Sequence, residues 1–92
     1  MIVALSKSPS ATKKWRVVGP GFTVNFGAKG YQDYTMHHDL ERKRRYLMRH
    51  QSRENWADPR TAGFWSRWLL WEAPSIEQAK QVIKRKFNIN IH

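Results

Sequence analysis

The segment Phe64-Trp65-Ser66-Arg67-Trp68-Leu69-Leu70-Trp71 constrains this chain most. Eight residues carry three indoles, a phenyl ring and two leucines, and a chain of 92 residues with no cysteine has no disulfide or thiolate metal site to help it fold. That apolar load must therefore go inside. On a helical wheel at about 100° per residue, Trp71, Phe64, Trp68, Trp65 and Leu69 share one arc of roughly 160°, and Ser66 and Arg67 lie opposite. The arc reads as core, in a helix over about 62–72. Leu70 falls between Ser66 and Arg67 on the polar side, which points either to a helix wrapped on all sides or to a contact surface, and makes it a candidate partner-binding residue.

Upstream stands a segment of opposite character. Over residues 36–54 a helical wheel gives two stripes. Met36, Leu40 and Leu47 form one, and Arg42, Arg45, Arg49 and Arg53 the other, as a cationic ladder about 16 Å long. Asp33 or Thr35 suits the N-cap, and Glu41 with Arg45 and Asp39 with Lys43 are favourable i,i+4 pairs. The formal net charge of +10 makes the ladder part of a general cationic excess. Acidic partners are expected: nucleic-acid phosphates, anionic membranes or acidic protein surfaces.

The remaining chain supplies a small scaffold. Residues 1–14 mix Ser, Pro, Thr and Lys after an apolar lead, and read as a basic arm, flexible or ordered by a partner. The domain proper spans 15–92. Trp15–Val18, the turn Gly19-Pro20-Gly21 and Phe22–Phe26 form a β-hairpin with Phe22, Val24 and Phe26 on one face. The alternating tail Phe87–Ile91 is a candidate third strand, paired with the hairpin. Residues 54–61 form a turn, broken by Pro59. Ser75 and Gln78 form a capping box for a last helix with Ile76, Ala79, Ile83 and Phe87 on one side, and with Lys84, Arg85 and Lys86 at its C-terminal end. The expected fold is a small α+β domain of a hairpin, or three strands, packed with about three short helices.

Enzymatic chemistry finds little support. No Gly-rich phosphate loop, activated nucleophile or paired carboxylates stand out. His50 and Glu54 are spaced to share a helical face as metal ligands, but a structural role is the simpler reading, and no cofactor or small-molecule substrate is implied. No run of about 18 apolar residues exists to span a membrane. What remains is gripping. Arginine pairs bidentately with carboxylates and stacks on rings, which suits docking.

Phe26 through Thr35 with His37 or His38, then Arg45-Tyr46-Leu47, Arg49-His50, Glu54-Asn55-Trp56 and Thr61 through Trp71, together carry a resemblance over roughly residues 13–85. They resemble a family of small basic proteins encoded by large nucleocytoplasmic DNA viruses of algae and amoebae. The resemblance implies no catalytic residues. It implies a context, an icosahedral shell in which many small proteins lie beneath the major capsid protein. The function expected is that of a non-enzymatic virion component, a minor capsid or cement protein. It would be made in the host cytoplasm and dock on major and minor capsid proteins through Arg42, Arg45, Arg49, Arg53, Arg67 and Leu70. The alternative is a nucleic-acid-binding or DNA-packaging protein using the same stripe.

Overall fold

Period-two alternation in Trp15–Phe26 folds as the pattern dictates. In the computed structural model, which describes residues 1–92, β2 (Lys13–Gly19) and β3 (Phe22–Ala28) form an antiparallel hairpin, with Gly19 opposite Phe22 across the turn. Gly21 takes φ 79°, a conformation open to a residue without Cβ. Val17, Val24 and Phe26 point to one face and are buried. Two further strands, β1 (Ile2–Lys7) and β4 (Asn90–Ile91), complete a four-stranded mixed sheet of order β3-β2-β1-β4, and helices cover one face of it.

The first surprise is β1. Residues Ile2–Lys7 are an interior strand, antiparallel to β2 with Ala4 opposite Val18 and Lys7 opposite Trp15. The expectation of a flexible or partner-ordered arm over 1–14 is corrected accordingly. Val3 is 1% exposed and Leu5 packs against the core, so the lead residues alternate inward and outward as a strand does. Between β1 and β2, Ser8 is buried, donating its hydroxyl to Asn25 Oδ1 at 2.8 Å.

The tail is corrected too. The last helix, α4 (Ile76–Phe87), runs to Phe87, leaving only Asn90–Ile91 as β4. That strand runs parallel to β1, opposite Ile2 and Val3, and is not paired with the hairpin. Asn88, in the left-handed region at φ 56°, turns the chain out of α4. Ser75 caps the helix as expected, its Oγ accepting from Gln78 N at 3.2 Å, and Ala79 and Ile83 are fully buried beside partly buried Ile76 and Phe87.

The aromatic segment fills the space between sheet and α4. Thr61 caps α3 (Ala62–Trp65), which passes directly into a π-helical segment, Ser66–Leu70. Phe64, Trp65 and Leu69 are wholly buried, with Phe26–Trp65 ring centroids at 6.3 Å and Phe64–Phe87 at 4.9 Å. Leu70, expected on the polar side, is 2% exposed. In a π turn each residue advances less than 100°, so the last positions swing back toward the core. Gly27, at φ 78°, makes room, because a Cβ there would lie 2.9 Å from Leu70 Cδ1. The indoles also fix the 51–61 loop. Trp65 Nε1 donates to Pro59 O and Trp68 Nε1 to Trp56 O, both at 2.7 Å. No helix is long and apolar enough to cross a membrane.

An interior β1 has a direct consequence. Removing residues 1–7 should abolish cooperative thermal unfolding followed by circular dichroism, because β2 and β4 lose their shared neighbour and Val3 leaves the core. A truncated chain that melts like the intact one would restore the arm reading.

Candidate functional site

The expected helix over 36–54 is two helices. Asp33 caps α1 (Tyr34–His37), His38 breaks the path at φ 56°, and Asp39 caps α2 (Leu40–His50), accepting from Glu41 N and Arg42 N. The face that α2 turns to the body is not the Met36, Leu40 and Leu47 stripe. Met36 is 54% exposed and Leu40 is 67% exposed. The buried side chain is Tyr46, whose ring lies on the Trp71 indole at 4.2 Å and 3° between planes. Lys43 adds a second tie, donating to Glu72 O at 2.6 Å with its ammonium 5.1 Å from the Tyr34 ring centroid. His50 stacks on the other side of Tyr46 at 4.2 Å.

Arg42 and Arg49 lie about 40° and about 60° from Tyr46 on the helical wheel and Arg45 about 100°, all on the same side, so anchoring that ring turns the stripe toward the groove and leaves its side chains exposed. Between α2 and the open end of the β2–β3 hairpin runs a groove of about 600 Å³. Arg42, Arg45 and Arg49 line one wall, Lys13, Lys14, Gly27 and Ala28 the other, and Tyr46, Ser66, Leu70 and Trp71 also contribute. Tyr31, Gln32 and Asp33 close the end near Arg42, and Glu54 and Gly63 the end near His50. Burial, and then the Glu54 carboxylate, push the Tyr46 phenol well above the ordinary tyrosine range, so it stays a neutral hydroxyl.

Five cations thus line the groove against two carboxylates, and both carboxylates are occupied. Asp33, 4% exposed, accepts from Lys14 Nζ at 2.9 Å and from Thr35 N at 3.0 Å, and takes the Thr35 hydroxyl as well. Glu54 accepts from Trp56 Nε1 at 2.9 Å and sits 2.9 Å from His50 Nδ1. His50 and Glu54 therefore hold each other. A Cβ on Gly63 would come within 2.9 Å of Glu54 Cδ, so glycine is what lets α3 pass this carboxylate. Arg42 donates to the neutral Gln32 Oε1 at 3.3 Å, and Lys13, Arg45 and Arg49 form no ion pair. The expected partners went elsewhere. Glu41 pairs with Arg44 at 3.0 Å, and Asp39 is used as a cap.

The other residues expected on the docking surface are differently placed. Arg53 lies in the turn after α2, donating to Arg49 O at 3.2 Å, and does not line the groove. Arg67 is internal. It meets Glu72 at 2.8 Å, and its guanidinium lies over Trp68 at 4.1 Å and near Trp56 at 5.2 Å. Leu70 contributes to the groove from beneath, not as an outward contact. The sequence left Lys13 and Lys14 out of the site, since they sit in the segment read as an arm.

At the α1–α2 junction His37 lies 5.3 Å from the Trp71 ring. Its Nδ1 accepts from Asp39 N at 2.9 Å, and its Nε2 is buried without a partner. Burial, and then the Arg42 charge, lower its pKa below the ordinary 6.5. The unfolded chain takes up this proton near 6.5 and the native chain only at lower pH. Stability should therefore fall as pH drops below 6.5 and level off beneath the native value. Chemical denaturation across pH 4–8 should show this for the natural chain and a flatter profile for His37→Leu.

The anchor is testable in the same way. Tyr46→Ala should cost roughly 3 kcal/mol, in the range of large-to-small aromatic truncations. Amide exchange should accelerate selectively in α2 while β1–β3 stay protected. Uniform acceleration would show that α2 is not a separately anchored element.

No curated protein and no solved structure matches this chain. A family model matches residues 3–50, which carry β1–β3, both short helices and the three groove arginines. That is just over half of the sequence, and the chain belongs to this family, a family of unknown function (DUF5754).

Proposed function

We propose that this chain is a non-enzymatic structural protein of a virus particle, a minor capsid or cement protein that receives an acidic segment of a capsid protein in its arginine groove. The observation that carries this reading is the charge balance of the groove. Arg45 and Arg49 face a concave surface with no carboxylate of their own, while Asp33 and Glu54 are both taken by neighbours. A guanidinium held this way presents its planar fork to a carboxylate from outside. The viral setting, with synthesis in the host cytoplasm and residence in the virion, rests on the resemblance carried by Phe26–Thr35 and Thr61–Trp71. The Trp-rich segment contributes Ser66, Leu70 and Trp71 to the groove lining, while Phe64 and Trp65 are buried in the core.

One observation favours a second reading. Tyr31, 73% exposed, stands at the mouth of the groove and offers a ring on which a base could stack beside the cations. A single nucleic-acid strand is the partner that feature would suit.

Arg45→Glu together with Arg49→Glu separates these readings from a merely solvated helix. Incorporation of the double variant into particles should drop at least tenfold, with the helical circular dichroism of the isolated chain unchanged. Normal incorporation would defeat the docking site. For a nucleic-acid partner, log K for a single strand would fall linearly with log salt, and the double variant would flatten that slope.

A further inference from the structure

A cement protein must hold two things together, and the groove accounts for only one. At another corner of the molecule, α4 and β4 enclose a second cleft of about 390 Å³, lined by Lys80, Lys84 and Arg85 together with Asn90 and the aliphatic Ile89 and Ile91. Lys84, Arg85 and Lys86 crowd the last turn of α4. The simplest account of such crowding is the negative end of the helix dipole, but that end is worth only about half a charge against three full ones. The neighbourhood does little to cancel the surplus. Glu77 is the one carboxylate lining the cleft and pairs with Lys80 at 3.3 Å. Lys84 donates to the neutral Asn90 Oδ1 at 2.6 Å, and Arg85 has no ion pair.

The sheet topology sets how far apart the two cationic sites lie. The groove uses the start of β2 and the end of β3, whereas β4 pairs with Ile2 and Val3 at the start of β1. Because β1 is antiparallel to β2 with Ala4 opposite Val18, Val3 lies level with Gly19, six residues along β2 from Lys13. The offset is about 20 Å along the strands, with about 10 Å more across them from β2 to β4. That exceeds the Debye length of about 8 Å at physiological salt, so an anion at one site scarcely screens the other. The sites share no lining residue.

We infer that the α4–β4 cleft is a second docking site for an acidic, partly aliphatic protein segment, so that one chain bridges two acidic partners from diagonally opposite corners of its sheet. This rests on the reading of the groove as the first site. Lysine and arginine heads beside the half-buried Ile91 suit a peptide carrying Asp or Glu next to an aliphatic residue, with Ile89 buried in the core beneath them. The cleft's lining includes no aromatic ring on which a base could stack.

Calorimetric titration of the full chain with an oligo-glutamate peptide carrying one leucine tests it. The natural chain should bind two peptides. Arg45→Glu/Arg49→Glu and Lys84→Gln/Arg85→Gln should each bind one, and the four-fold variant should lose binding at least tenfold. The Gln variant keeps α4 free of new negative charge, and its circular dichroism should match that of the natural chain. One peptide per natural chain, lost only with Arg45 and Arg49, would overturn the second site and leave the groove standing. One peptide lost only with Lys84 and Arg85 would remove the groove, and the bridge with it. Binding of a thymidine oligonucleotide in place of the peptide would overturn the protein-segment assignment.

Discussion

The site depends on one contact, the face-to-face stack of Tyr46 on Trp71. Tyr46 is the only buried side chain of α2, so the orientation of that helix about its own axis is decided there. Rotated by a third of a turn, the same helix would bury Leu40 and Leu47 and point its arginines into solvent. Trp71 in turn stands where it does because it follows the π-helical segment, which lets Leu69 and Leu70 both reach the core and delivers the indole to the surface beside His37. The aromatic core and the cationic groove are therefore not separate designs. One continues into the other through His50, Tyr46, Trp71 and His37, a row of rings running along the inner side of α2.

The same row explains how two groups of arginines in one short chain come to do different things. Arg67 has Glu72 at one end and two indole faces around its guanidinium, so its charge is used within the fold. Arg45 and Arg49 are a helical turn apart on the groove wall, and the carboxylates near them are already engaged. Local pairing could have silenced them, because Glu41 stands four residues before Arg45. Glu41 turns to Arg44 instead, on the outward face, where a surface pair contributes well under 1 kcal/mol. The groove keeps its charge because the helix spends its acids elsewhere.

Much of this was legible from residue order, and the gaps have physical causes. Alternation at period two exposed the hairpin, and Ser75 with Gln78 exposed the start of α4, because both signals are local. β1 is not legible because Met1 to Leu5 are uniformly apolar and the Ser, Pro and Thr that follow resemble an unstructured lead, so no period-two pattern marks the inward Val3 and Leu5. What places that segment is its partner strand far along the chain, which no local pattern reports. The arginine stripe was visible on the wheel, but its direction was not. A wheel ranks Leu40 and Leu47 above a tyrosine flanked by arginines, and only the position of Trp71 reverses that order. Leu70 was misplaced because the wheel assumed uniform α geometry across a segment that widens into a π turn.

A chain this small has little stability to spare, and the groove draws on it. Lys13, Lys14, Arg42, Arg45 and Arg49 line one concavity, and their mutual repulsion is relieved only in part by Asp33 and Glu54. An anion seated among them removes that repulsion and binds only the folded chain. It therefore raises folding stability by RT ln(1 + [L]/Kd), about 2.7 kcal/mol at a hundredfold excess over Kd. The benefit falls on α2, whose one buried side chain is Tyr46, because the anion would tie its arginines to the lysines across the groove. If the groove takes an anionic partner as proposed, binding and the firmness of α2 are one equilibrium, and in the free chain the Tyr46–Trp71 stack holds the helix in place.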